Sequence, residues 1–566
     1  MKKIILLSIS FFASNFIYAQ NFVWAKQMGG TSTDAGESIA IDATGNVYTT
    51  GYFVGIVDFD PGSGVFNLTS AGSGDIFVCK LDASGNFIWA GAMSGTDNEA
   101  GYSIAVDTGG NVYTTGFFKG TVDFDPGIGI YNLTAFGNDD IFVSKLDASG
   151  NFLWAKQLSG TNYEEGTAIT VDASGNVYTT GAFYNTVDFD PSTGTYNLTS
   201  FGIDDIFVSK LDASGNFLWA KQMGGTSDDT GYGIAVDASG NVYTTGIFED
   251  TADFNPGTGI YNMMSDFGYE IFVSKLNSSG NFIWAKQFGG IDGGGYAHSI
   301  SVDAGGNVYT TGSFGGNADF DPGPGTYILN EIGMLDVYVS KLSSSGNFIW
   351  AKQMGGANTE EGFSIDFDLS GNVYTTGWFA GTVDFNPDIG TYNLTSSGSD
   401  DIFVSKFSPS GNFLWAVQMG GAGSDRSISM AVDAIGNVYT TGGFSATADF
   451  DPGFGMYNLI STGGYDIFVE KIADFPTEIP DWAYNMENRI LISPNPASHE
   501  LLLSLSNNVK PNTTLSIYNF LGAKILTVPV TNTQTNISIS TLPAGVYFIN
   551  VKEGNRSVGV KKLVKI

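Results

Sequence analysis

A tryptophan in a Phe-Val/Ile/Leu-Trp setting returns at Trp24, Trp89, Trp154, Trp219, Trp284, Trp350 and Trp415, at intervals of 65, 65, 65, 65, 66 and 65 residues. A second marker, Gly-Asn-Val-Tyr-Thr-Thr-Gly, begins at Gly45, Gly110, Gly175, Gly240, Gly306, Gly371 and Gly436. A fixed period with room for several strands per unit restricts the chain to a radial or stacked array of like units.

The unit around residues 101–157 reads as four strands. Ser103–Asp107 alternates small and β-branched residues, a half-buried strand pattern. Asp107-Thr108-Gly109-Gly110-Asn111 is a tight turn, and Val112–Phe118 the second strand. Asp140–Leu146 is the third, and a further Asp-Ala-Ser-Gly-Asn turn leads to a fourth at Phe152–Lys156. Four antiparallel strands make one propeller blade. The Trp-bearing strand first occurs at Phe22–Gln27, before the first whole unit, while the last unit stops at Asp466–Ile472 without one. A leading strand that completes the last blade removes two free sheet edges; a linear array would need caps instead. The expected fold is all-β: a seven-bladed β-propeller over residues 20–472 closed by its N-terminal strand, then a linker at 473–489 and a small Ig-like β-sandwich at 490–566.

Small residues alternate in the first strand of each unit, as in Ser38/Ala40, Ser103/Ala105, Gly233/Ala235 and Ser299/Ser301, so they are expected to point into a narrow channel. The tryptophans are expected to wedge between blades, since a ligand rarely needs seven identical indoles. Lys80, Lys145, Lys210, Lys275, Lys341, Lys406 and Lys471 share one position of the third strand and are expected to pair with acids between blades. Cys79, the single cysteine, stands where other units have Ser144, Ser209, Ser274, Ser340 and Ser405, and reads as a chance replacement.

Charge bounds the partners. With 24 Lys+Arg against 57 Asp+Glu the net charge is −33, an acidic balance that argues against nucleic acid. Strand order gathers the acids on one face. Blade-to-blade loops supply Asp34, Glu37, Asp97, Glu99, Glu164, Glu165, Asp228, Asp229, Asp292, Glu360, Glu361 and Asp425. The connections between second and third strands supply an Asp-Phe-Asp/Asn-Pro motif in every unit: Asp58/Asp60, Asp123/Asp125, Asp188/Asp190, Asp253/Asn255, Asp319/Asp321, Asp384/Asn386 and Asp449/Asp451. Two readings compete for the motif. Alternating oxygen donors suit calcium, the one cofactor the sequence brings to mind; an Asp or Asn before Pro also starts a turn through its side chain. The turn is favoured, because no Asp-x-Asp-x-Asp-Gly loop with a distant Glu accompanies it. His298, read as a blade-to-blade loop residue, is the one histidine on this acidic rim, and the rim is the candidate binding surface.

Met1–Ala19 has the form of a secretory signal peptide, with Lys2 and Lys3 before an apolar Ile4–Ile17. No later run is long enough to span a membrane as a helix. Near the other end, Ser493-Pro494-Asn495-Pro496-Ala497, Leu542-Pro543-Ala544-Gly545-Val546-Tyr547 and Lys561-Lys562-Leu563-Val564-Lys565 resemble, in order, the C-terminal sorting domain of the type IX secretion system of Bacteroidetes. Residues 21–472 resemble the SBBP-type β-propeller repeat through Val-Asp-x-x-Gly-Asn-Val-Tyr-x-Thr-Gly. The first resemblance implies export to the medium or the outer cell surface, with the type IX machinery as partner and Pro494, Asn495, Pro496, Gly545, Tyr547, Lys561 and Lys562 as its signal. The second implies no single activity. No Gly-x-Ser-x-Gly, His-Glu-x-x-His or phosphate loop is present, so catalysis is not expected. The expected role is binding of a surface ligand, glycan or protein, in adhesion or envelope organisation. A polysaccharide hydrolase and a purely structural surface protein are the alternatives.

Overall fold

The computed structural model describes residues 21–473 apart from 267, 291, 292 and 454, and residues 490–565 apart from 494–496, 506–508, 511–512, 520–523, 544 and 554–555. The expected signal segment 1–19, nearly all of the expected 473–489 linker, Asp292 and the expected sorting residues Pro494, Asn495 and Pro496 lie outside the described residues. The chain divides into two compact units, 1–475 and 476–566.

Every regular element described in the first unit is a strand. Ala100–Val106, Val112–Phe118, Asp140–Leu146 and Phe152–Leu158 pair in that order as antiparallel neighbours. Side-chain chemistry closes the first turn. Asp107 accepts from the N–H groups of Gly109 and Asn111 at 2.8 and 2.9 Å, while Asn111 Nδ2 and the Tyr113 hydroxyl donate to its other oxygen at 2.7 and 3.0 Å. The Asp-x-x-Gly-Asn sequence therefore fixes the register that sets Val106 opposite Val112.

The same order recurs in seven antiparallel sheets. The seventh takes its fourth strand from the start of the chain: Asn21–Gly30 lies along Asp466–Ala473, with Ala25 opposite Glu470. The first strand of each sheet packs on the first strand of the next, and Asp425–Val432 returns to Ala35–Ile41, so the series is circular. Small residues on these strands serve the junctions. Ser38, Ser103, Ser299, Ser364 and Ser429 accept from the backbone N–H of Ile104, Ile169, Ile365, Met430 and Ile39 at 3.1–3.3 Å.

In the second sheet, that of Ala100–Val106, the two middle strands are buried end to end, and the fourth is half-exposed. The phenylalanine of Asp-Phe-Asp-Pro explains why the motif recurs. Phe124 is fully buried, edge-on to Phe118 at 5.3 Å and 5.1 Å from Phe142. The other six copies build the same trio, with Tyr338 as third ring in one. Burying one such side chain stabilises by roughly 1.5–3 kcal/mol. The short strands beside it, Thr121–Asp123 and Asn132–Thr134, form a hairpin that docks on the preceding sheet, Val122 opposite Gly95. Each repeat thus straddles two sheets.

The tryptophans pack between sheets. Trp89 Nε1 donates to the Ala148 carbonyl of the next sheet's turn at 3.3 Å. A Cβ added to Gly150, at φ 83°, would sit 2.8 Å from the Trp89 ring, so the turn needs glycine for both its conformation and its closeness. The lysines differ from expectation. Lys145 Nζ stands 4.8 Å over the Tyr113 ring and donates to the Ala213 carbonyl at 3.1 Å. The turn aspartate Asp107, which accepts from Gly109, Asn111 and Tyr113, acts on it through charge without a close ion pair. Lys406 does add an ion pair, to Asp368 at 3.7 Å.

The second unit holds two antiparallel sheets, one of three strands and one of four. Leu501, Leu503 and Ile537 of the first share a core with Leu515, Ile517, Ile549, Val551 and Leu563 of the second. Among the described residues no helix is long and apolar enough to cross a membrane.

Candidate ligand site in the axial cavity

Each first strand carries a β-bulge at the same place, visible as a register shift at Gly36/Ser38, Gly101/Ser103, Gly166/Ala168, Gly231/Gly233, Ala297/Ser299, Gly362/Ser364 and Ser427/Ser429. A bulge takes one residue out of the ladder and re-aims its side chain. The residues so released are Glu37, Tyr102, Thr167, Tyr232, His298, Phe363 and Ile428, and all seven line one cavity of about 570 Å³ among the first strands. In units that otherwise repeat their core, turns and hairpins, this position carries six different residue types.

The cavity has two unlike walls. Three consecutive sheets supply a ring-lined wall: His298 stacks on Phe363 at 4.5 Å and 17°, with Tyr296 parallel to it at 6.3 Å and Tyr232 tilted at 5.8 Å. Burial holds the His298 imidazole down at about 4, so it is neutral at physiological pH. The opposite wall carries Glu37, Tyr102 and Glu165. Glu37 is half-buried at the cavity, and the surrounding protein pushes its carboxyl up to about 7. Glu165 is raised by burial and then by the charges of Asp139 and Asp204. The Tyr102 hydroxyl is raised by burial and by its neighbours Glu165 and Glu37.

Two family models match the chain. Residues 491–566 match a secretion system C-terminal sorting domain, and residues 23–52, 153–182 and 218–246 match the SBBP β-propeller repeat. The chain carries SBBP β-propeller repeats and a type IX sorting domain. It is accordingly a type IX export substrate, destined for secretion or the outer cell surface, and the secretion machinery is a partner. It is also 26% identical over 543 residues to an uncharacterized WD repeat-containing protein of Acanthamoeba polyphaga mimivirus, covering 80% of this chain and 38% of that protein. A 25% match over 225 residues to the regulatory protein FlaEY of Caulobacter vibrioides covers 38% of this chain and 22% of that one. The chain thus spans well under half of either relative. Among solved structures, the extracellular domain of a putative hybrid two-component system from B. thetaiotaomicron aligns at 11% identity and TM-score 0.20, over 96% of this chain and 99% of that one. PorZ, an essential surface component of the type IX system of Porphyromonas gingivalis, aligns at 10% identity and TM-score 0.15, over 96% of this chain and all (100%) of that one. Neither alignment is close enough to carry an argument.

The residues singled out in the sequence of this type IX substrate fall into three places. The Asp-Phe-Asp/Asn-Pro side chains sit on the outer hairpins, outside the axial cavity. The first acid of each copy accepts two backbone N–H groups: Asp58 from Asp60 and Phe66, Asp123 from Asp125 and Tyr131, Asp188 from Asp190 and Tyr196, Asp253 from Asn255 and Tyr261. Asp319, Asp384 and Asp449 repeat the pattern. Asp60, Asp125, Asp190, Asn255, Asp321, Asn386 and Asp451 each accept from the N–H two residues on. His298 is not in a loop; it lies within the strand Gly295–Val302, at the bulge.

Half of the blade-to-blade acids are not on a rim. Asp34, Glu99, Glu164, Asp229, Glu360 and Asp425 are fully buried, because they fold back to cap their own loops, as Asp229 does for Gly225 N–H at 2.6 Å. Each meets a second buried acid at the start of a third strand: Asp466, Asp75, Asp140, Asp205, Asp336 and Asp401 respectively. Burial, with the nearby acid adding to it, raises the loop acids to about 6 at Asp34 and Asp425, about 7 at Glu360 and about 8 at Glu99, Glu164 and Asp229. Where Gly294 replaces the loop acid, the strand acid lengthens to Glu270.

In the sorting domain, Tyr547 is buried and donates to the Pro543 carbonyl at 2.9 Å. Gly545, Lys561 and Lys562 lie on the adjacent paired strands Gly545–Glu553 and Arg556–Lys565.

The bulge position was missed because strict alternation begins at Ser103 and leaves Tyr102 outside the strand pattern. Comparing the repeats column by column would have found it.

Proposed function

We propose that the chain is a seven-bladed β-propeller, closed by its N-terminal strand, which binds a surface ligand or partner at its axial cavity in adhesion or envelope organisation. The organisation that goes with this reading is a leader at 1–19, the propeller at 20–472, a linker at 473–489 and an Ig-like sorting domain at 490–566. One observation carries it: seven side chains re-aimed by seven bulges converge on a single cavity, and they vary where the scaffold does not. Side chains that serve packing repeat from unit to unit here; those that meet a non-repeating ligand need not. The volume lies within the range of small-ligand pockets. The acidic rim becomes the surround of the site rather than the site itself.

The test is glycan and peptide array binding by the native chain and by Ile428→Trp, which fills the cavity from one wall. The expected result is array signal lost in the variant at unchanged melting temperature. Signal that survives the filled cavity would remove this reading.

A further inference from the structure

The cavity is lined by the same kinds of group, acids and aromatic rings, with which the molecule holds a cation elsewhere. Arg426 shows the chemistry at the rim. Its guanidinium lies 4.3 Å over the Trp378 ring and donates to Asp400 Oδ2 from Nε and Nη2 at 2.9 and 2.6 Å. The lysines of the third strands repeat half of it, each Nζ set 4.7–4.8 Å over a tyrosine ring. On the Glu37 wall the acceptors and rings are present and no such cation accompanies them. Tyr102 stands within the charge influence of both Glu37 and Glu165, and Tyr232 within that of Glu165. Neither glutamate has a hydrogen-bond or ion-pair partner among the described residues, although both line the cavity.

A carboxylate held in surrounding protein without a donor is costly, and a cation that brings N–H groups relieves that cost. Tyrosine faces favour the same guest through their quadrupole, and more strongly when water is displaced. A neutral sugar would leave Glu37 without a charge partner, and an anion would meet three glutamates, Glu37, Glu165 and Glu361, of which only Glu361 feels the nearby charge of Arg426. The ring-lined wall of His298 and Phe363 adds no positive charge, since burial keeps the imidazole neutral.

We propose that the axial cavity takes an alkylammonium group, held between Glu37 and Glu165 with its methylene stem against Tyr102 and Tyr232. The guest is either a free diamine or the end of a lysine side chain on a partner. This rests on the cavity being the binding site, and it names the chemistry of what binds there.

Calorimetric titration of the whole chain uses cadaverine and Nα-acetyl-lysine methylamide, with 1,5-pentanediol and methyl glucoside as neutral probes. Binding of either amine with both neutral probes silent supports the proposal, and the tighter amine names the source. Glu37→Gln and Glu165→Gln, each close in shape to the native side chain, should each weaken amine binding tenfold or more at unchanged melting temperature. Pentanediol binding as tightly as cadaverine, amines that do not bind, or both variants binding cadaverine like the native chain would overturn it. Those outcomes leave the broader reading standing if the Ile428→Trp variant still loses array binding; an unaffected Ile428→Trp variant sinks the broader reading instead.

Discussion

The buried acid pairs make the stability of this protein fall as pH rises through neutrality. Take the junction of Asp205 and Asp229. Burial, followed by the proximity of other acids, raises Asp229 from its usual 3.8 to about 8 and Asp205 to about 7. A raised carboxyl keeps, in the folded chain, a proton that the unfolded chain releases above about pH 4. The folded state then binds more protons than the unfolded one, so stability is greatest at the acid end of that window and declines toward the folded values. Each pH unit costs about 1.4 kcal/mol per retained proton, so one proton per pair costs about 3 kcal/mol at this junction from pH 5 to pH 7. Net charge adds a diffuse decline of the same sign, because self-repulsion grows as acids ionise. Asp229→Asn separates the two. It removes the shared proton, and its amide can donate to Asp205 Oδ1, which has no partner among the described residues. Thermal unfolding followed by circular dichroism at pH 5, 6, 7 and 8 should show the native melting temperature falling, and the variant's falling less. A native melting temperature that is level or rising over this range, or a variant with the native slope, refutes the reasoning.

Phe124→Ala should cost about 3–5 kcal/mol in denaturant melts, since the ring is fully buried between Phe118 and Phe142; a cost under 1 kcal/mol would mean the outer hairpin does not anchor its sheet. Asp123→Ala should cost about 1 kcal/mol, and neither calcium nor a chelator should shift the melting temperature of native chain or variant, because Asp123 Oδ1 already takes two backbone N–H groups at 3.1 and 2.8 Å; a calcium-dependent rise in the native chain alone would restore the metal reading. Removing Asn21–Gly30 should leave a chain that aggregates or fails to unfold cooperatively, since Asp466–Ala473 keeps Val438–Phe444 on one side but becomes a free edge on the other; a cooperative, monomeric product would contradict that.

The strand order was legible because hairpin chemistry is local. Asp107, Gly109 and Asn111 announce a turn whatever surrounds them, and the one-strand offset between Phe22–Gln27 and Asp466–Ile472 told which segments still needed a neighbour. The site was less legible, because the sequence does not say how deep an acid sits. Asp229 and Asp228 are adjacent, yet the first caps a loop in the interior while the second keeps contact with solvent. Bulges were illegible for a related reason: a single extra residue breaks the two-residue period, so Tyr102 fell outside the strand pattern and His298 read as loop. The lysines were assigned partners by charge alone, whereas a tyrosine face and a main-chain carbonyl make the close contacts of Lys145 and Asp107 acts on it only through its charge.

The pairing of the first strand with the last sets an order of events. Gln27 and Asp466, whose side chains meet at 2.6 Å, are 439 residues apart in the chain. During synthesis the end of the opening segment can pair early with Ile56–Asp58, but its long partner Asp466–Ala473 arrives only when almost the whole array has been made, so six sheets can assemble in sequence while the seventh waits. Any factor that shields the waiting end controls when the molecule becomes complete, and a chain cut short anywhere before Asp466 carries that unfinished end permanently.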